Sequence, residues 1–243
     1  MPIIKASINP TGQRLLSAGQ LATALFVVCA GVFLSAGASA ESATKLPPPL
    51  VDVTPPAATK PTTVVFAGGC FWGVQAVFQH TRGVLQAVSG YAGGQRDSAN
   101  YESVSSGATG HAESVQVTFD PKQVSFGKLM QIYFSVAHDP TQLNRQGPDR
   151  GTQYRSAVFY SDAEQLQVAQ HYIDQLDKAH AFAGKIVTQL KPNDRFYPAE
   201  AYHQNYATLH PDAGYIATFD LPKIAHLKAL FPEIYRDAPV LVK

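Results

Sequence analysis

The stretch Gly68-Gly69-Cys70-Phe71-Trp72-Gly73 constrains this chain most. Thr62 to Ala67 before it is β-branched and apolar and predicts a strand. After it, Phe71, Val74, Val77 and Phe78 recur at helical spacing, which predicts a helix starting at the cysteine. The two glycines let the backbone turn sharply between the elements. Cys70 is thereby set in the first turn of a helix, at the end of a strand. Unpaired N–H groups and the positive end of the helix dipole favour a thiolate there. Such a setting can lower a cysteine pKa from about 8.5 to roughly 3.5–7.5. The plainer reading of a lone cysteine is a small buried hydrophobe. The glycines and the Phe-Trp pair point instead to a nucleophile.

Ahead of this stretch the sequence changes character. Lys5 and Arg14 precede an uncharged apolar run from Leu21 to Ala36, and Ala38-Ser39-Ala40 is a small-residue cleavage pattern. Together they predict a signal peptide over residues 1–40 and an exported, periplasmic domain. The alternative is an uncleaved N-terminal membrane anchor, for which the apolar run is short. Residues 41–61, with Pro47-Pro48-Pro49 and Pro55-Pro56, predict an extended, solvated linker. The folded domain is expected over residues 62–243. Cys29 falls in the leader, so of the 2 cysteines only Cys70 remains in the mature chain. That excludes a structural disulfide and a cysteine-built zinc site. A formal net charge of +1 gives no basis for a nucleic-acid partner.

Along the domain, Gly83 to Gly90 predicts a strand leading to a flexible corner at Gly90-Tyr91-Ala92-Gly93-Gly94, then a long polar loop from Gln95 to Gly110. Ala112 to Phe119 alternates and predicts a strand, with Val115, Val117 and Phe119 on one face. Phe126 to Ala137 carries a helical apolar stripe, and Asp139 to Tyr154 is another polar loop. Ser156 to Tyr160 predicts a strand, and Ser161-Asp162-Ala163-Glu164 a capping box opening a helix to about Lys178. A strand over Ile186 to Leu190, a short helix from Glu200 to Leu209 and a helical patch from Ile224 to Leu230 complete the reading. Mixed strands and helices argue for an α+β sandwich.

Six motifs then fall in one order. They are Gly68 to Gly73, Gly90 to Gly94, Asn100-Tyr101 with Thr109-Gly110-His111-Ala112-Glu113, His138-Asp139-Pro140, Gly151 to Ser156, and Ala199 to Tyr206. In this they resemble the peptide methionine sulfoxide reductases of type A. The resemblance implies a two-layer α/β sandwich with a mixed sheet, related to the ferredoxin-like plait. It implies reduction of the S epimer of methionine sulfoxide, free or in proteins. Cys70 is implied as the nucleophile and Glu113 as the acid that protonates the sulfoxide oxygen. The second role requires a carboxyl pKa raised by burial. Tyr101 and Tyr154 are implied as hydroxyl donors to that oxygen, Asp149 as an ordering group, and Phe71 and Trp72 as the apolar wall for the substrate methyl. Arg150, after Asp149, departs from the family pattern. His111, His138, His203 and His210 have no compact ligand spacing, and no metal is expected.

Many family members carry resolving cysteines after the Gly-Tyr pair that is Gly214-Tyr215 here. Ile216 stands in that place, and no cysteine follows. The expectation is a single-cysteine enzyme without a bound cofactor. Its sulfenic acid is met by an external thiol: a thioredoxin-like protein, glutaredoxin or a small thiol. A monomer is expected. The competing readings are a thiol peroxidase, a cysteine hydrolase with a histidine partner, and a non-catalytic binding module.

Overall fold

The computed structural model describes residues 43–53 and 60–243. The leader, with Cys29, lies outside them. β1 (Thr62–Ala67) leads through Gly68-Gly69 into α1 (Phe71–Gln79), followed by β2 (Val84–Ala92), the short α2 (Tyr101–Ser105) and β3 (Ala112–Phe119). Next come α3 (Phe126–Ile132), a two-residue hairpin of β4 (Arg145–Gln146) and β5 (Asp149–Arg150), and β6 (Ala157–Tyr160). α4 (Ala163–Lys178), β7 (Gln189–Pro192), β8 (Phe196–Pro198), α5 (Tyr206–Leu209) and α6 (Leu221–Leu230) complete the domain.

Six strands form one mixed sheet in the order β7-β6-β1-β3-β2-β8, with only β6 and β7 parallel. Its central four strands follow β1-α1-β2-β3-α3-β6, antiparallel throughout, which is the ferredoxin-like order. Side-chain parity divides the faces. Val64, Phe66, Val115, Val117 and Phe119 belong to the main core with α1, α3 and α4, whereas Val65, Ala67, Ala112, Ala157 and Phe159 form a smaller cluster on the other face. Glu113 shares the parity of Val115 and so points into the helical layer.

α1 is apolar on almost every side, as befits a helix enclosed by protein. All its residues except Trp72 are buried, with the sheet on one side and Ala207 and Ile216 on the other. Its two polar residues are fully engaged. Gln75 donates to Ala87 O at 3.1 Å and to Gln204 Oε1 at 2.8 Å, and accepts from Asn205 N at 2.8 Å. Gln79 donates to Asn205 Oδ1 at 2.8 Å. Asn205, at φ 60°, takes the left-handed conformation that asparagine tolerates. This network fixes Gln204 and Asn205 against the middle and the end of α1.

The sequence expectations need several corrections. β2 runs on to Ala92 where a flexible corner was expected, because Gly90, Tyr91 and Ala92 pair with Ser114, Glu113 and Ala112. The polar loop after it contains α2, capped by Asn100 Oδ1 accepting from Ser103 N at 3.0 Å. The helix at 163 is capped by Asp162, not Ser161, with Oδ1 accepting from Gln165 N at 2.8 Å. Gln165, not Glu164, stands at the third position, and it accepts from Ser161 N, one residue before the cap, at 2.9 Å. The stripe over Phe126 to Ala137 divides into α3 and a π-helical turn over Tyr133–Ala137. The strand expected from Ile186 begins instead at Gln189.

Residues 43–53, read from their prolines as solvated, lie against the domain as a strap. Leu46 is 5% exposed. Its N–H donates to Ser135 Oγ at 3.1 Å and its carbonyl accepts from Gln131 Nε2 at 2.6 Å. Tyr172 and Gln175 of α4 donate to the carbonyls of Pro47 and Pro48. Prolines keep the strap extended, which leaves its carbonyls available to side chains of α3 and α4.

Candidate active site

The turn between β1 and α1 is over-determined. Gly69 has φ 88°, and a Cβ there would stand 2.5 Å from Gln146 Cβ. Tyr133 Oη donates to Ala67 O at 2.6 Å just before the turn. Cys70 is the N-cap of α1, with the Trp72 N–H directed at its sulfur. The expected depression of its pKa does not occur. Burial raises the thiol well above its ordinary value, Glu113 and Asp220 add to this, and the Trp72 N–H and Lys223 only partly oppose it. The dipole at a helix start acts over one turn, whereas Cys70 is 8% exposed among carboxyl groups, and desolvation wins.

Glu113 is 3% exposed and its Oε2 accepts from Phe71 N at 3.1 Å. The carboxyl is therefore anchored one residue from Cys70. Burial pushes its pKa up to about 8, with Asp149 and Asp220 adding to the rise and the Phe71 N–H opposing it. At neutral pH Glu113 is thus a carboxylic acid.

Tyr101, Tyr154 and Asp149 converge on the same acid. Tyr101 opens α2 and has its backbone N–H held by Glu200 Oε1 at 2.9 Å. Glu200 Oε2 also accepts from Tyr91 Oη at 2.8 Å, which ties α2 to the sheet. Burial and then Glu113 raise the pKa of Tyr101, and the same two causes, in that order, raise that of Tyr154. Both phenols stay protonated donors. Asp149 sits in β5 and accepts a short hydrogen bond from Tyr215 Oη. Its neighbour Arg150 is exposed and leaves the site alone.

Trp72 supplies the open part of the apolar wall. It stacks on Tyr206 at 4.0 Å between centroids and meets Tyr215 edge-on at 6.1 Å. Phe71 backs it, 1% exposed, with its ring 5.0 Å from His203 and 6.0 Å from Tyr91. All seven sequence-selected residues are brought to one end of α1. Sequence reasoning missed Tyr215, which orders Asp149, and the pair Asp220–Lys223, at 3.4 Å behind Gly73. A Cβ on Gly73 would lie 2.1 Å from Asp220 Oδ1, so that glycine is set by a contact nearly 150 positions away. The Gly-Tyr pair was the one available signal for Tyr215. Nothing local marks the other two. Among the described residues, no group of three His, Cys, Asp or Glu side chains is arranged to hold a metal ion.

Comparison with known proteins agrees with this geometry. Residues 62–233 match the family model described as peptide methionine sulfoxide reductase. The chain is 61% identical over 180 residues to peptide methionine sulfoxide reductase MsrA 2 of Mesorhizobium japonicum, covering 74% of this chain and 92% of that protein. It is 50% identical to MsrA 2 of a Synechocystis species, covering 77% and 89%. Among solved structures it is similar to reduced Mxr1 of Saccharomyces cerevisiae, with a TM-score of 0.59, 34% identity and coverage of 66% of this chain and 91% of that one. It is also similar to methionine sulfoxide reductase A of Corynebacterium diphtheriae, with a TM-score of 0.54, 34% identity and coverage of 64% and 77%. A cysteine, a buried carboxylic acid and two phenols gathered at one helix start, on this fold and in this sequence, make the chain a member of the peptide methionine sulfoxide reductase family, type A.

Proposed function

We propose that this chain reduces methionine-S-sulfoxide, free and in proteins, through a sulfenic acid on Cys70, with Glu113 moving the proton. The observation that carries the assignment is the buried Glu113 carboxyl, held by the Phe71 N–H beside Cys70 and protonated at neutral pH. The substrate methyl lies against Trp72, with Phe71 behind it. Tyr101 and Tyr154 donate to the sulfoxide oxygen, whose negative charge grows as sulfur is attacked. Cys70 sulfur forms a bond to the sulfoxide sulfur while Glu113 gives its proton to the oxygen. Oxygen then passes to Cys70 as methionine leaves, and the proton lost by the thiol restores Glu113. The sum is one thiol and one sulfoxide converted to one sulfenic acid and one thioether. Asp149, ordered by Tyr215, keeps the polar side of the site in register.

Cys70 has no cysteine partner in the described residues. An external thiol therefore completes the cycle, and the chain works as a monomer with no bound cofactor. The basic start, apolar run and Ala38-Ser39-Ala40 pattern support export to the periplasm with cleavage after Ala40. Sequencing the N-terminus of the cell-derived protein tests that, and a retained Met1 overturns it.

The activity is tested with a mixture of sulfoxide epimers. The S epimer is expected to disappear and the R epimer to persist. With one equivalent of sulfoxide and no reductant, Cys70 is expected to gain one oxygen that a sulfenic-acid reagent traps. Consumption of both epimers, or an untouched Cys70, overturns the reading.

A further inference from the structure

A cavity of about 810 Å³ reaches Cys70 and is bounded in part by Tyr215 and by the hairpin that carries Asp149. Cys70 lines it, but Trp72, Tyr101, Glu113 and Tyr154 do not. Its walls come from the strap at Ala43, Thr44 and Leu46, the π-helical turn and the residues after it, the β4–β5 turn at Gln146 to Pro148, the loop 181–184, and the stretch from Tyr215 to His226. Cys70 thus has two approaches: the aromatic site with its acid, and this chamber. In the family pattern a resolving cysteine follows the Gly-Tyr pair. Here Ile216 follows it, is fully buried against α1, and the chain continues into α6 beside the chamber.

We propose that this chamber is the docking site of a low-molecular-weight thiol that regenerates Cys70. The proposal rests on the reductase reading above. Displacement at a sulfenic sulfur is collinear: the incoming thiolate must approach opposite the departing oxygen. On the reductase reading that oxygen comes from the sulfoxide and is held on the Glu113 side, so the attacker has to come from elsewhere, and the chamber is an open space that Cys70 lines and Glu113 does not. The thiol sulfur bonds to Cys70 sulfur, the oxygen leaves as water with a proton from Glu113, and a second thiol releases Cys70 as the two thiols become a disulfide. Lys223, 9% exposed and 3.4 Å from Asp220, lines the chamber and favours the thiolate form of the entering group. Asp139 also lines it, so the chamber presents both signs of charge, suited to a zwitterionic peptide thiol. Its volume takes a tripeptide. The strap over one wall and the burial of Cys70 work against a folded thiol protein, whose cysteine must be brought in on its own surface.

The test separates the two half-reactions in the full chain. Methionine release from one equivalent of sulfoxide reports the first. Resolution of the resulting sulfenic acid by γ-glutamyl-cysteinyl-glycine, at increasing concentration, reports the second. For the unmodified protein the resolution rate is expected to saturate. In Ala183→Trp, an exposed loop position whose indole would fill the chamber, half-saturation is expected to rise about tenfold or more, a loss of about 1.4 kcal/mol of binding. Methionine release should be unchanged. His226→Trp blocks the chamber from α6 and serves where the first variant does not fold. A rate linear in tripeptide, and the same in the blocked variants, overturns the proposal. So does saturation seen only with a dithiol protein of thioredoxin type. Absence of methionine release from the unmodified protein would instead sink the reductase reading itself.

Discussion

At the scale of the residue, the decisive quantity is the free energy of burying one carboxyl group. Glu113 has its pKa raised from 4.5 to about 8, first by desolvation. Between those values the folded chain holds a proton that the unfolded chain has released, so stability falls as pH rises through this window. Glu113→Gln keeps an acceptor for the Phe71 N–H and does not titrate. It is expected to be more stable than the parent by on the order of 3 kcal/mol at pH 7, the gap closing below about pH 4. Denaturant melts at pH 4 and pH 7 check this, and equal midpoints at both would contradict it. The same variant is expected to lose about 10²–10⁴ in the rate of methionine formation, measured in a single turnover. In the parent, that rate is expected to hold from pH 6 to 7 and to fall about tenfold by pH 9 as Glu113 ionises. A rate that climbs over that range would instead make thiol ionisation limiting, with Cys70 attacking as a pre-formed anion.

At the scale of the element, α1 is the piece on which the site is mounted. It is buried except at Trp72, and its position is set by contacts rather than by propensity. Gly73 lets Asp220 approach its backbone, and Asp220 brings Lys223 and the start of α6. Gly73→Ala therefore forces the segment at 216–220 away from α1. A loss of about 1–3 kcal/mol is expected from such overpacking. Because the displaced segment carries Ile216 next to Tyr215, turnover should fall as well. A variant with unchanged melting temperature and turnover would show that the segment moves freely. α2 has five residues and is too short to persist by itself. Its Asn100 cap and the Glu200 carboxylate hold it, which explains why a loop was the natural reading of its sequence.

At the scale of the whole molecule, the strap makes the domain larger than its motifs. Its prolines and small residues carry little apolar signal, and a buried leucine, hydrogen bonds from the strap backbone and Asp52, which accepts from Gly127 N at 2.8 Å, tie it down. Leu46→Ala is expected to cost about 2 kcal/mol, at the low end for a buried leucine because the strap can lift off instead of leaving a cavity. Limited proteolysis should then cut between residues 43 and 53 while the rest resists. Equal protection in the variant would mean that the remaining strap contacts suffice without the leucine.

The sequence by itself singled out the side chains that the fold gathers at the start of α1, and showed where the main strands and helices run. Cys70 between a strand and a helix was legible because that junction is local, written in glycines and periodicity. Glu113 was singled out by its motif, and the parity of β3 agreed afterwards. Strand ends were less legible: β2 continues through two glycine-flanked residues only because β3 and β8 lie alongside. What tertiary structure alone decided is the electrostatic setting. The helix start argued for a lowered thiol pKa, yet burial and two carboxyl groups raise it. Desolvation and charge act through space, summing over groups that the chain places far apart in sequence. No window around residue 70 contains Glu113, Asp220 or Lys223, and none contains the strap that closes the chamber beside them.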